Sequence, residues 1–215
     1  MIRAIFWDND GVLVDTEPLY FRATAEILSR FGVELSCALY HELFLVQSRG
    51  AWHLAVEKGF PAEQVESLRA ERNERYERLL EGSDLAVPGA REALARLHGR
   101  LAMGVVTSSL RRHFDAIHRG SGLRPYFDFV LTREDYRHSK PDPEPFQKAL
   151  EVAGVGANEA LVVEDSRRGL AAAKAAGLAC WIVRTDLTRA SDFSLADRVL
   201  DGVAEVADLL LAGSG

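Results

Sequence analysis

The sequence has 215 residues, of which 47% are hydrophobic and 27% are charged, and its formal net charge at pH 7 is −6. This composition is typical of an ordinary globular protein with a well-buried core, and the lack of a run of Lys and Arg argues against nucleic acid as a partner. The two cysteines, Cys37 and Cys180, are too far apart in sequence to indicate a disulfide framework or a metal-ligand pair. No stretch approaches the roughly 18 apolar residues of a membrane helix and the N-terminus does not resemble a signal peptide, so we expect a cytoplasmic protein without a membrane partner.

The first predicted element is a short buried strand, AIFW at residues 4–7, which ends abruptly at two acids. These acids, Asp8 and Asp10, are two positions apart, so their side chains point to the same side of an extended segment. Like charges repel, so the pair indicates a bound cation or a reaction that needs both carboxylates.

Residues 16–87 follow a helical pattern almost throughout. One helix opens at Pro18 and stops at Gly32, and another begins at Pro61. The second helix carries two ion pairs in the favourable i,i+4 order, Glu71–Arg75 and Glu74–Arg78. A helical stretch of this length between two strands predicts an inserted all-helical domain over residues 16–87.

Further apolar runs without polar alternation predict parallel strands at residues 101–106, 127–131, 161–163 and 180–183. Helical patterns separate them, at residues 89–98 and 166–176 among others. Strands that alternate with helices predict an α/β fold, with a Rossmann-like parallel sheet flanked by helices on both faces. Residues 1–15 and 88–215 would form this core.

Polar side chains follow the predicted strands at their carboxyl ends, which is where open α/β sheets bind ligands. This set comprises acids, hydroxyls and one cation from a proline-rich loop: Asp8, Asp10, Thr107, Ser108, Ser109, Lys140, Glu164 and Asp165. The clustered carboxylates favour a hard divalent cation, and Mg²⁺ suits a site with few carboxylates. The hydroxyls and the ammonium favour an anion. Together these groups predict phosphoryl transfer, in which a covalent aspartyl-phosphate divides one difficult step into two.

Four segments in this order resemble the motifs of the haloacid dehalogenase superfamily: DNDGVLVDTEP, VVTSS, SKPDPEPF and VVEDSRRGLAAAKAAG. The resemblance covers essentially the whole chain. It is to the branch with a helical cap after the first strand, which includes phosphoglycolate phosphatases and beta-phosphoglucomutases. It implies that residues 16–87 are a cap domain and that Mg²⁺ is the cofactor.

The resemblance also implies roles for individual residues. Asp8 would be the nucleophile and a metal ligand, and Asp10 the general acid/base whose backbone carbonyl also touches the metal. The phosphate would be bound by Thr107, Ser108 and Lys140. Asp165 would be a metal ligand, whereas Glu164 beside it is either a ligand or a helix cap. In the cap, Arg49 aligns with a substrate-contacting loop and Arg72 is a weaker candidate.

The favoured function is a Mg²⁺-dependent phosphatase for a small phosphorylated metabolite, such as a sugar phosphate or a phosphoglycolate-like compound. A phosphomutase is the nearest alternative, but Tyr20 and Leu45 occupy positions where the mutases, as the resemblance implies, have a histidine and a lysine. A dehalogenase is disfavoured because, as the resemblance implies, dehalogenases typically lack the second acid, whereas Asp10 is present here. A non-catalytic metabolite-binding protein is disfavoured because every catalytic acid is present.

Asn9 departs from the apolar residue that the family usually has at this position, and the six histidines show no metal-ligand spacing. The physiological substrate and the oligomeric state stay open.

Overall fold

The computed structural model describes residues 1–47 and 49–212. The chain divides into two compact units, a core unit of Met1–Asp15 and Asp84–Gly215, and an insert unit of Thr16–Ser83. None of the helices in the described part of the chain has the length and apolar character that a membrane crossing needs.

The core unit contains one sheet, in which the described residues form six strands: β1 (Ala4–Trp7), β2 (Ala102–Val106), β3 (Phe129–Leu131), β4 (Ala160–Glu164), β5 (Ala179–Val183) and β6 (Arg198–Leu200). Their order is β3-β2-β1-β4-β5-β6 and every neighbouring pair is parallel. Strand β1 lies between β2 and β4, with Trp7 opposite Val105 and Val163. The carboxyl ends of these three strands therefore meet at one edge, and the predicted α/β fold is confirmed.

The α-helices of the described residues alternate with the strands in the core unit and form most of the insert unit. They are α1 (Glu17–Ser29), α2 (Cys37–Tyr40), α3 (Trp52–Glu57), α4 (Val65–Leu80), α5 (Ala90–Leu97), α6 (Arg111–Ser121), α7 (Glu144–Ala153), α8 (Arg167–Ala175) and α9 (Ala204–Ala212), with a π-helical segment at His41–Val46.

The central strand is buried on both faces, which explains the uninterrupted apolar run that predicted it. All four residues of β1 are fully buried. Phe146 of α7 and Leu170 of α8 join Phe6 in one apolar cluster. Helix α5 buries its predicted apolar face, formed by Ala90, Ala93, Leu94 and Leu97.

The insert unit has its own apolar cluster, which includes Leu28, Trp52 and Leu68. Its ion pairs differ from the prediction. Arg75 on α4 pairs with Glu26 on α1, with Nη2 3.1 Å from Oε1, and Glu71 pairs with Arg30. The predicted Glu71–Arg75 pair is wrong, because opposite charges on a neighbouring helix compete with a partner one turn away.

The chain leaves the core unit after Asp15 and returns at Asp84, four residues before the boundary expected from the sequence. Backbone hydrogen bonds explain the difference. The N–H of Asp15 donates to the carbonyl of Leu85 at 2.8 Å, and the N–H of Val87 donates to that of Leu13 at 3.0 Å. Residues 84–87 therefore pair with the segment after β1 and pack with the core unit.

Candidate active site

The segment after β1 is held by backbone hydrogen bonds. The N–H of Asp8 donates to the carbonyl of Val163 at 2.8 Å, which continues the pairing with β4 by one residue. The chain then turns, and Gly11 donates to Val14 at 2.8 Å. Asp8 and Asp10 are therefore fixed at the carboxyl edge of the sheet by the main chain.

Lys140 joins the ends of three strands. Its Nζ donates to Asp8 Oδ1 at 2.6 Å, to Glu164 Oε1 at 2.7 Å and to the carbonyl oxygen of Val106 at 2.8 Å. An ammonium has three protons, so each has an acceptor. The side chain is only 2% exposed, so this contact between one cation and two carboxylates is shielded from water.

Burial and crowding shape the charges of this group. Burial raises the pKa of Asp8 to about 7, with Glu164 and Asp10 adding to the rise and Lys140 opposing it. Burial alone would lower the pKa of Lys140, but the two carboxylates it contacts raise it above the ordinary value for lysine. The opposite balance holds for Glu164, where burial would raise the pKa but Lys140 and Ser166 bring it below the usual range.

Glu164 also fastens the start of α8. Its Oε2 accepts from the backbone N–H groups of Asp165 and Ser166, both at 3.1 Å, and from the Ser166 hydroxyl at 2.8 Å. Both carboxylate oxygens thus accept hydrogen bonds from the protein. One oxygen each from Asp8, Glu164 and Asp165 lie within 4.8 Å of one another, which makes this group a candidate cation site.

Two glycines let these carboxylates approach the backbone. A Cβ added at Gly11 would lie 2.2 Å from Asp165 Oδ2, and one added at Gly169 would lie 1.9 Å from Glu164 Cδ. Gly11 also has a φ of +89°, a conformation that costs other residues about 1–2 kcal/mol. The first and fourth motifs therefore meet at Gly11.

We expect Gly11→Ala to lower kcat by at least about tenfold, because the new methyl group displaces Asp165, and misplacement by about 1 Å can cost far more. Gly177→Ala is the matched control: Gly177 has a φ of +76° but nothing within 4 Å of an added Cβ. Gly177→Ala carries the backbone strain without the clash, so Gly11→Ala should lose at least as much stability in thermal unfolding, and Gly11→Ala alone should lose activity. Equal activities in the two variants would show that the contact with Asp165 is unimportant.

The loop after β2 holds Asp10. Ser109 Oγ donates to Asp10 Oδ2 at 2.8 Å and Thr107 Oγ1 donates to the same oxygen at 3.3 Å. Thr107 also accepts from the backbone N–H of Ser109 at 3.0 Å, and Tyr136 donates its hydroxyl to the Thr107 carbonyl at 2.7 Å. Ser108, between the two, is half-buried. Ser109 belongs to the predicted group of hydroxyls after β2, but the motif resemblance implies no role for it, so its contact with Asp10 is a finding of the structure.

The contact between Asn9 and His118 was also not predicted from the sequence. Asn9 is fully buried, and its Oδ1 lies 2.8 Å from His118 Nε2 on α6. His118 Nδ1 lies 2.8 Å from the hydroxyl of Ser121. Burial lowers the pKa of His118 to about 4, so the ring is neutral at pH 7. The available signal was Asn9 itself, because a buried amide requires a polar partner.

The candidates outside the core unit lie in the insert unit. Arg49 is exposed, and its backbone N–H donates to the carbonyl of Leu43 at 2.9 Å. Arg72 is buried, with its guanidinium carbon 4.1 Å from the ring centroid of Tyr20. The side chain of Leu45 lies outside the described part of the structure.

The sequence and the fold are both similar to those of known proteins. A family model described as haloacid dehalogenase-like hydrolase matches residues 2–177. The chain is 32% identical to Protein CbbY of Cereibacter sphaeroides over 220 residues, 97% of this chain and 96% of that protein. It is 31% identical to the phosphorylated carbohydrates phosphatase of Thermotoga maritima over 178 residues, 82% of each chain.

Among solved structures, the fold is similar to that of a CbbY variant from Rhodobacter sphaeroides in complex with xylulose-(1,5)bisphosphate. The TM-score is 0.82 at 29% identity, covering 95% of this chain and 96% of that one.

Proposed function

Because the chain belongs to the haloacid dehalogenase-like hydrolases and is a phosphoric monoester hydrolase of that family, we propose that it is a Mg²⁺-dependent phosphatase for phosphorylated sugars or similar small metabolites. The observation that carries this proposal is the contact of Lys140 with both Asp8 and Glu164, next to an Asp10 held by two hydroxyls. Two acids in different surroundings suit two different tasks.

Asp8 is the nucleophile in this proposal. Lys140 holds its Oδ1, which orients the other oxygen for attack on phosphorus. The bond between phosphorus and the ester oxygen breaks, and Asp10 gives its proton to the departing alkoxide. Asp10 then takes a proton from water as that water attacks the aspartyl-phosphate, which releases inorganic phosphate and restores both acids.

The donor set fits a magnesium ion because every candidate ligand is an oxygen and the acidic groups lie close together. Asp8 and Asp165 would hold the ion, with the backbone carbonyl of Asp10 as the resemblance implies. We assign Glu164 to positioning Lys140 and α8, since both its oxygens accept hydrogen bonds. When bound, the ion would offset the carboxylate charges and those of the phosphoryl oxygens.

Asp165→Asn should raise the Mg²⁺ concentration that gives half-maximal activity by at least about tenfold, because it removes one charged ligand. The control is Asp142→Asn, since Asp142 belongs to a separate group of close acidic residues with His138 and Glu144. Activity measured against Mg²⁺ concentration gives both values. Identical titrations for Asp165→Asn and the wild type would show that Asp165 is not a ligand.

The proposed substrate class draws on the relatives, whose names refer to phosphorylated carbohydrates and a sugar bisphosphate. We assign phosphate binding to Thr107, Ser108 and Lys140. The insert unit would act as the cap domain, with Arg49 contacting the distal part of the substrate. An exposed arginine suits a hydroxyl-rich or anionic ligand because it carries five N–H donors.

Arg49→Ala should therefore lower kcat/KM for a preferred sugar phosphate by about tenfold or more, and should affect p-nitrophenyl phosphate much less. Arg69→Ala removes another exposed arginine of the insert unit and serves as the control. Equal losses on the two substrates would argue against a substrate-reading role for Arg49.

Water is the proposed acceptor of the phosphoryl group. A mutase must keep water away until a sugar hydroxyl arrives, and Tyr20 stands where a switchable histidine would serve that purpose. Tyr20 is packed under Arg72, and burial raises the pKa of its hydroxyl above the ordinary value of 10.0. It therefore cannot change protonation near pH 7.

The experiment that tests the function measures free phosphate released from a panel of sugar phosphates and phosphoglycolate, in Mg²⁺ and in EDTA. Beta-glucose 1-phosphate with catalytic glucose 1,6-bisphosphate is included. We expect phosphate release that requires Mg²⁺. Release unaffected by EDTA would contradict the metal dependence, and glucose 6-phosphate formed faster than phosphate would indicate a mutase.

A further inference from the structure

A buried series of hydrogen-bonded polar groups runs from Ser121 on α6, through His118 and Asn9, to the carboxyl of Asp10. Asn9 and Ser121 are fully buried, and His118 is 5% exposed. Apolar side chains could fill this space without hydrogen-bond partners, so three polar groups in a row call for an explanation. The proposed phosphatase mechanism uses none of them directly.

The direction of each hydrogen bond in this series follows from Asp10. Asp10 Oδ2 already accepts from two hydroxyls and so acts as an acceptor, which turns Asn9 Nδ2 toward it at 3.4 Å and Asn9 Oδ1 toward His118. His118 Nε2 must then carry the proton that it donates to Asn9. Because the ring is neutral, Nδ1 accepts from the hydroxyl of Ser121.

The other end of this hydrogen-bonded series, Ser121, is bound to the backbone. Ser121 Oγ accepts from the N–H of Leu123 at 3.2 Å, so its own proton is directed to His118. His118 is also fixed by packing, with the ring of Phe114 at 4.2 Å between centroids. The backbone at Leu123 therefore sets the orientation of the ring, and the ring sets which way the Asn9 amide faces.

At the other end, one oxygen of Asp10 faces donors from two elements. Ser109 and Thr107 donate to Oδ2 from the loop after β2, and Asn9 donates from the segment after β1. Three donors on one oxygen restrict rotation of the carboxyl group and direct Oδ1 away from them. We propose that Asn9 and His118 are positioning residues that hold Asp10 in the orientation for proton transfer. This inference rests on the acid/base role proposed for Asp10.

The test compares two substrates that differ in their need for an acid. A p-nitrophenolate leaves without much help from a proton, whereas the alkoxide of fructose 1-phosphate requires one. The value of kcat/KM reports the first chemical step, so a misplaced acid lowers it more for the sugar phosphate. A general loss of folded protein lowers both values equally.

The main variant is the double substitution Asn9→Leu with His118→Phe, because it exchanges both partners of one buried hydrogen bond for apolar groups of similar shape, while Ser121 keeps its hydrogen bond from the N–H of Leu123. We expect kcat/KM for fructose 1-phosphate to fall at least about threefold further than for p-nitrophenyl phosphate. The single variant His118→Gln, whose amide can still donate to Asn9, should keep the ratio of the two kcat/KM values close to that of the wild type.

Asp10→Asn is the reference for the same ratio. If Asp10→Asn changes the ratio and the double variant does not, or loses both activities equally, the positioning role is overturned and the function stands. If Asp10→Asn leaves the ratio unchanged, the role proposed for Asp10 fails and this inference fails with it.

Discussion

Asp8→Asn should abolish phosphatase activity, with a loss of at least about 10³-fold in kcat, because the amide keeps the shape of the side chain but cannot form an aspartyl-phosphate. The fold should survive. Asn can still accept from Lys140, and one negative charge is removed from a buried group that contains Asp10 and Glu164. We therefore expect a thermal midpoint in EDTA at or above that of the wild type.

The control for this loss is Asp115→Asn, which makes the same chemical change at an exposed position on α6. It should leave turnover and stability unchanged. Circular dichroism establishes that each variant is folded before activity is compared. Retention of more than about a tenth of the wild-type kcat by Asp8→Asn would rule out the covalent route, because the reaction would then proceed without its nucleophile.

The parts of the fold that could be predicted are those whose signal is local. β1, β2 and β5 are continuous apolar runs, β4 is one up to Glu164, and α5 shows its buried face in four residues. The strand β6 could not be found this way, because Arg198 and Val199 are exposed and its three residues form no apolar run. It is a strand because β5 offers an edge with which it pairs.

The candidate site divides in the same way. Motif order placed Asp8, Lys140 and Glu164 near one another, since the topology of a parallel sheet brings strand ends together. The contact between Asn9 and His118 joins residues 109 positions apart, and α6 does not present its histidines in any metal-ligand pattern. For Glu164 the sequence predicted either a metal ligand or a helix cap. In the structure one oxygen caps α8 and the other accepts from Lys140, a contact that neither alternative included.

Lys140→Met should combine a large loss of stability with a large loss of activity. Removing the ammonium leaves Asp8 and Glu164 buried without the cation that both contact at 2.6 and 2.7 Å. Breaking a buried ion pair from one side typically costs about 3–5 kcal/mol of unfolding free energy. Lys58→Met, at an exposed lysine of the insert unit, should cost almost nothing. Urea unfolding in EDTA at pH 7.5 measures both.

A double variant identifies the origin of the Lys140→Met loss. Adding Glu164→Gln removes one of the two unpaired charges, and the amide can still accept from Ser166. If uncompensated charge causes the instability, the double variant should be more stable than Lys140→Met alone, and saturating Mg²⁺ should stabilise Lys140→Met more than it stabilises the wild type. If instead the lost packing of Lys140 over Phe146 is responsible, Glu164→Gln should not help, and Mg²⁺ should stabilise Lys140→Met no more than the wild type. Activity should stay at least about 10²-fold below the wild type in both variants, because Asp8 has lost the donor that orients it and the phosphate has lost its cation.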